Sequence, residues 1–271
     1  MYAVTGASGR LGSLVLQSLL EKTSIKNVVA LTRTPDHVAH LADPGPVIRE
    51  FDFDKPESLL SALRGVTRLL LVSGSAIGKR AEQHRAMIQA AKDAGVAFAA
   101  YASVLHADTC TLGLAQEHRT TENDIKSSGL NYAISRHGWY TKNLLGDITQ
   151  QIQEEKVVGR AGNRRQSSAS RADYAAGDAL EISGVTIEYV NMSAEEYKEY
   201  LAGQGFPPRI ADLLADAGAQ CALDVMFDDS GTLGKVIGRP TTELQTIVSR
   251  HIASSASSES NSHASYVFHE E

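Results

Sequence analysis

A chain of 271 residues, 42% hydrophobic and 21% charged, is long enough to bury a sizeable core, and no apolar run in it approaches the length of a membrane span. Its 26 Lys and Arg stand against 32 Asp and Glu, so a net charge of -6 exerts no global pull on nucleic acid, and an anionic ligand must be held by local features. Cys110 and Cys221 have no paired spacing and the first strand begins almost at Met1, which sets the expectation of a cytoplasmic protein with neither a cleaved leader nor a membrane partner.

Short β-branched runs at residues 2–5, 28–32, 47–51, 69–73, 97–102 and 132–135 alternate with amphipathic stretches, the pattern of βα units feeding a parallel sheet. Most of these runs are too apolar for a sheet with one wet face, so helices are predicted on both faces. The first helix, residues 10–22, sets Leu11, Leu14, Val15, Leu19 and Leu20 on one stripe. After Tyr140 the alternation degrades into a helix to residue 154, a loop rich in Gly, Arg and Ser over 159–170, a short helical start at Asp173 and a strand at 185–190. Ser193 and Glu196 have the spacing of a capping box, and helices are predicted over 194–201, 208–217 and 242–252. From Ala253 the run S-S-A-S-S-E-S-N-S-H-A-S buries too little apolar surface to offset its ordering entropy and reads as a disordered tail.

The segment T-G-A-S-G-R-L-G places Gly6, Gly9 and Gly12 between the first strand and the first helix. A tight turn there favours residues without a Cβ, lets a pyrophosphate approach the backbone, and offers it the free N–H groups of a helix N-terminus. The fold class is therefore α/β: a Rossmann doubly wound parallel sheet with a smaller, mostly helical C-terminal lobe. Residues 1–150 form the dinucleotide-binding core, 151–252 a substrate lobe and 253–271 the Ser-rich tail.

At the end of the second strand, where a carboxylate would accept from the ribose of NAD, stands Arg33. A guanidinium pairs with a 2′-phosphate, so the chemistry favours NADP(H) over NAD(H); a solvated strand-end Arg is the plainer reading. Arg10 either helps or faces water. Asp52 closes the third strand and either meets an adenine amino group or caps the next turn. Ser73, Gly74 and Ser75, closing the fourth strand, let backbone pass near a cofactor, though a plain turn would look similar.

The Y-x-x-x-K proton relay of short-chain dehydrogenases is missing after the fifth strand; H-R-T-T-E stands there instead, with His118 and Glu122 on one helical face. His118 is a candidate catalytic residue, as orienter of the nicotinamide ribose or proton donor, and equally a satisfied helical histidine. No third ligand supports a metal at this pair. Directly after the sixth strand, R-H-G-W-Y-T-K-N brings Gly138 for close approach of a nicotinamide and the flat faces of Trp139 and Tyr140 for a flat acceptor, or else rings that pack the lobe. Arg171 either contacts cofactor phosphate or pairs with Asp173.

Together these motifs, with L-T-R-T-P, L-L-L-V-S-G-S, L-H-A-D-T, S-R-A-D-Y-A-A and F-D-D-S-G-T-L-G-K-V-I-G-R-P-T-T, closely resemble the bacterial type-2 NAD(P)H:quinone oxidoreductases, relatives of triphenylmethane reductase in the NmrA-like branch of atypical short-chain dehydrogenases. The resemblance implies NADP(H) contacts from Gly6, Ala7, Ser8, Gly9, Arg10 and Leu11, from Arg33, from Ser73, Gly74 and Ser75, from His137, Gly138, Trp139, Tyr140, Thr141 and Lys142, and from Arg171. It implies reduction of a quinone-like acceptor without flavin, and leaves a homodimer open. The alternative is a non-catalytic NADP(H)-binding redox sensor like the NmrA-type regulators. Two departures stand out: His137 replaces a usual Asn, and a segment of the family is missing between about residues 177 and 185, which shortens the lobe.

Overall fold

The run V-V-A-L-T forms a strand, Val28–Thr32, with every residue buried, which requires packing on both faces of the sheet. The computed structural model describes residues 1–20, 23–39, 45–140, 156–159, 167, 188–221, 223, 225, 227–231, 233, 235, 240, 242–243 and 246. They divide into two units. One comprises Met1–Ala107 and Gln116–Arg136; the other comprises Asp108–Ala115 and the described residues from His137 onward.

The first unit holds β1 (Tyr2–Val4), β2 (Val28–Thr32), β3 (Val47–Glu50), β4 (Arg68–Val72), β5 (Phe98–Val104) and β6 (Asn131–His137), whose last residue opens the second unit. Their order in the sheet is β3-β2-β1-β4-β5-β6, and the pairings from β3 through β5 are parallel. Each strand lies within two residues of its sequence-predicted ends. The chain leaves β1 toward β2 on one side and later returns to β4 on the other, so the carboxyl ends of β1 and β4 flank the point where the winding reverses.

Alternate residues of β2 face opposite layers. Val29 and Leu31 pack with Leu59, Leu63, Met87 and Ala91 from α3 (Pro56–Ala62), the residue after it, and α4 (Arg80–Asp93), while Val28 and Ala30 pack with Leu16 of α1 (Arg10–Leu20). Burying both faces in this way, at roughly 25 cal/mol per Å² of apolar surface, is the main stabilisation of the sheet. The expected stripe on α1 needs one correction. Leu14 is 52% exposed and Leu16 is fully buried, with Val15, Leu19 and Leu20 beside it. The rotation of α1 is set by Gly12, which is buried against the first turn, so the inward positions follow from residue 12 and Leu14 falls outside them.

Before β3 lies α2 (Pro35–Val38), and between β5 and β6 lies α5 (Gly113–Ser127). In the second unit, β7 (Lys156–Gly159) pairs in parallel with β8 (Glu188–Asn191), and α6 (Ala194–Gly203) packs on α7 (Pro208–Cys221). β7 was not foreseen: K-V-V-G is too short to declare itself, and its partner lies about thirty residues away in sequence. The expected strand near 185–190 is observed as β8, and the helices at 194 and 208 are present. Gly113 N–H donates to Asp216 and Thr111 to Gln220, which ties the first residue of α5 and the stretch before it to α7 within this unit. The predicted helix to residue 154, the loop at 159–170 apart from Ser167 and from Gly159, which ends β7, most of the helix at 242–252 and the tail lie outside the described residues. Among the described residues no helix is long and apolar enough to cross a membrane.

The capping box of α6 is complete, with Ser193 Oγ accepting the Glu196 N–H and the Glu196 carboxylate accepting the Ser193 N–H. Replacing Ser193 by Ala is expected to lower unfolding stability by about 1 kcal/mol, the usual value of an N-cap, measured by denaturant titration.

Candidate functional site

Gly6 holds φ +59°, a left-handed conformation, and turns the chain out of β1. A Cβ on Gly12 would stand 2.1 Å from the Gly6 carbonyl oxygen and one on Gly9 3.1 Å from it, so α1 starts hard against the turn and only glycine fits at residue 12. Gly9 N–H donates to that same oxygen at 2.9 Å. The first-turn N–H groups of α1, which no carbonyl of their own helix can satisfy, face the end of this turn together with the positive end of the helix dipole. Ala7 is buried, its N–H bonded to Leu31 O, and Thr32 donates to Ser8 Oγ at 3.0 Å, so the turn is fastened to the end of β2. Leu11 is half-buried. Arg10 is exposed, and so is Arg33 directly beyond β2, which makes no ion pair among the described residues.

Gly6 also faces β4: a Cβ there would lie 3.8 Å from Val72, whose backbone brackets the Thr5 hydroxyl through Thr5 Oγ1 to Val72 O at 3.2 Å and Val72 N–H to Thr5 Oγ1 at 2.9 Å. The Ser73, Gly74 and Ser75 turn therefore begins beside the glycine turn. Gly74 is half-buried, and a Cβ on it would meet the Phe53 ring at 3.6 Å. Asp52 acts as the turn cap: its Oδ1 accepts the Asp54 N–H at 3.0 Å.

Beneath this edge lies a buried polar layer that the sequence reading missed. Gly74 N–H donates to His84 Nε2 at 3.1 Å and Arg80 Nε donates to Gly74 O at 2.6 Å. Since Nε2 accepts, the neutral His84 ring carries its proton on Nδ1 and donates it to Thr121 Oγ1 at 3.0 Å, and Thr121 donates onward to Glu117 O. Arg80 faces the Glu117 carboxylate at 3.6 Å, and Gln83 donates to Asp54. Burial, reinforced by the Arg80 charge and then by His118, pushes the His84 pKa down to about 3. The signal available in the sequence was that Arg80, Gln83 and His84 share the helical face of the apolar Met87, Ile88 and Ala91.

His118 is buried, with Nδ1 2.7 Å from Tyr101 Oη, and burial raises the phenol pKa above its ordinary range. Glu122 shares its face, as expected, but turns to other partners: Ser103 and Arg136 donate to its carboxylate, the latter at 2.9 and 2.6 Å, and Lys126 lies 3.3 Å away. Burial opposes the charge on Glu122, yet these donors hold its pKa below the usual carboxylate value. Among the described residues no group of three side chains suits a metal.

In the second unit, His137 Nδ1 lies 2.8 Å from Tyr140 Oη with the two rings edge to face, and burial lowers the His137 pKa. Gly138 and Trp139 between them are half-buried. Thr141, Lys142 and Arg171 lie outside the described residues.

The NAD(P)H-binding family matches residues 6–177. Quinone oxidoreductase 2 of Escherichia coli (strain K12) is 40% identical over 279 residues, taking in 92% of this chain and 98% of that protein. The crystal structure of an NADPH-dependent quinone oxidoreductase from Escherichia coli, complexed with NADPH, is similar at TM-score 0.88 and 38% identity, over 93% of this chain and 100% of that one. Triphenylmethane reductase of Citrobacter sp., complexed with NADP(H), is similar at TM-score 0.87 and 28% identity, over 92% of this chain and 99% of that one. The 279 aligned positions of the first relative outnumber the 271 residues of this chain, so that relative carries residues with no counterpart here. The family match ends at residue 177.

His84 binds a proton in the unfolded chain near its ordinary pKa of 6.5 but in the folded one only near about 3, so stability is expected to fall as pH drops below 6.5. Glu122, with its folded pKa lowered from 4.5, adds a second loss at lower pH. Urea titrations across pH 7 to 4 should show the first loss in the parent chain and a smaller one in His84→Gln, where the buried His137 still contributes; a profile flat between pH 6.5 and 5 would contradict the buried neutral imidazole.

Proposed function

The chain belongs to the NAD(P)H-binding family, alongside quinone oxidoreductase 2, and from that membership we propose that it is an NADPH-dependent reductase of quinones that needs no flavin. The observation that carries this reading is the glycine turn, where a Cβ on Gly12 would collide with the Gly6 carbonyl: a backbone surface cleared for a pyrophosphate. Bound NADPH supplies hydride, and a quinone is an acceptor that can take it directly.

The chain's own contribution is binding, orientation and exclusion of water. Gly6, Ala7, Ser8, Gly9, Arg10 and Leu11 receive the pyrophosphate on backbone N–H groups. Arg33 pairs with the 2′-phosphate, a role supported by its exposure and by the lack of a competing carboxylate among the described residues. Ser73, Gly74 and Ser75 border the cofactor beside the first turn, and His137 to Tyr140 provide the nicotinamide and acceptor surface, with Trp139 and Tyr140 against the quinone. Thr141, Lys142 and Arg171 complete the set on the strength of the family resemblance. His118 acts as a positioning group, its ring held by Tyr101, while a reduced quinone anion draws its proton from water. The partner is a small molecule, and a cytoplasmic setting fits two buried cysteines that form no disulfide.

NADPH oxidation with a simple benzoquinone, corrected for the uncatalysed rate, tests the proposal. NADPH binding without stoichiometric consumption would favour the non-catalytic redox sensor.

Arg33→Asp should weaken NADPH far more than NADH, because a repulsion replaces a charge pair, and calorimetry with both nucleotides reads it. An unchanged preference for NADPH would remove Arg33 from the phosphate site. His118→Ala should lower the melting temperature and slow turnover modestly. A loss of about a thousandfold in kcat with fold and NADPH affinity intact would instead make His118 the proton donor.

A further inference from the structure

Gly74 has no side chain to hold it, yet both of its backbone polar groups are taken by side chains of α4: its N–H by His84 and its carbonyl by Arg80. Neither partner is a surface residue, for His84 is 0% and Arg80 5% exposed. Burying an imidazole and a guanidinium is costly unless each is well partnered, and farther along this face α4 uses Met87, Ile88 and Ala91 instead. Polar groups replace apolar ones only on the turns of α4 that meet Gly74. Behind them the contacts continue inward, from His84 to Thr121 and from Arg80 to the Glu117 carboxylate, so α5 braces both side chains from the far side. Phe53 closes the opposite flank, its ring centroid 5.5 Å from that of His84 and its ring edge 3.6 Å from where a Cβ on Gly74 would stand.

We propose that His84 and Arg80 are positioning residues for the dinucleotide, acting through Gly74 to present the turn after β4 to the cofactor in a single backbone conformation. This rests on the reading of Ser73, Gly74 and Ser75 as a border of the NADPH site. The groups facing His84 are Arg80 on its own helix, His118 and Thr121 on α5, Tyr101 on β5 and Phe53 after β3, while the Glu117 carboxylate faces Arg80. Burial keeps the ring neutral near pH 7, so the hydrogen bond to Gly74 persists through the range in which an ordinary histidine titrates.

The test uses the full chain with His84→Gln, which retains an acceptor, His84→Leu, which fills a similar volume without one, and Arg80→Lys, which keeps the charge toward Glu117 but withdraws the guanidinium from Gly74 O. For His84→Leu the NADPH dissociation constant and KM are expected to rise about tenfold, the loss of one buried hydrogen bond, while kcat falls by much less. His84→Gln should recover most of that affinity and Arg80→Lys should weaken binding in the same direction. Deuterium exchange in the peptide containing Gly74 should quicken in His84→Leu and Arg80→Lys. If His84→Leu does not fold, Arg80→Lys decides the matter. NADPH affinity equal to that of the parent chain in a folded His84→Leu or Arg80→Lys overturns the proposal and leaves the reductase reading standing. Failure of the unaltered chain to bind NADPH overturns both.

Discussion

Gly12 sits so close to the Gly6 carbonyl oxygen that a Cβ would be 2.1 Å away, and this approach governs what surrounds it. It brings the first turn of α1 to the carboxyl end of β1 and leaves the unpaired N–H groups of that turn pointing where an anion can reach them. It also fixes the roll of the helix. With Gly12 against the turn, Leu16 falls into the sheet and Leu14 into solvent, so the same contact that shapes the cradle decides which apolar residues anchor it. Thr32 and Ser8 then fasten the glycine turn to β2, and Thr5 and Val72 fasten β1 to β4, so the glycine turn and the turn after β4 share one hydrogen-bonded base.

The second determinant is the polar layer under β4 and β5. Four rings, Phe53, His84, Tyr101 and His118, follow one another at 5.5, 5.6 and 5.8 Å between centroids, and the polar ends among them are tied to Gly74, Thr121 and each other. In a low-dielectric interior such a set stabilises when its donors and acceptors are matched and destabilises when one is lost. The missing Tyr-Lys relay fits this arrangement: where a proton shuttle would need access to the acceptor, α5 instead carries His118 and Glu122, whose hydrogen bonds are used to brace strands.

The legible part of the molecule was the part with strong local signals. The strands of the sheet, the glycine turn and the capping box at Ser193 follow from periodicity and turn chemistry that act over a few residues. Leu14 and Leu16 were exchanged because helical spacing defines a stripe only up to its rotation, which the Gly12 contact fixed. β7 escaped because four residues cannot announce a partner that lies far along the chain. His84 escaped for another reason: a histidine in E-Q-H-R-A-M looks like a solvated helix face, and only the fold reveals that its two nitrogens meet a loop on one side and a helix on the other.

The two units carry different parts of the proposed chemistry. The glycine turn, Arg33, the Gly74 turn and the polar layer all belong to residues up to Arg136, and the hydrogen bonds named for them above are made within that stretch. The aromatic pair of His137 and Tyr140, with Trp139, belongs to the other unit, the unit that also contains the point at residue 177 where the family match ends. On the proposed reading, dinucleotide binding rests on the first of these units and the acceptor surface on the second. A phosphate cradle is built from backbone at one βα junction, whereas a flat acceptor has to be walled by side chains brought from several elements. If the proposed assignments hold, affinity for NADPH answers to the first set of constraints and rate toward a quinone to the second.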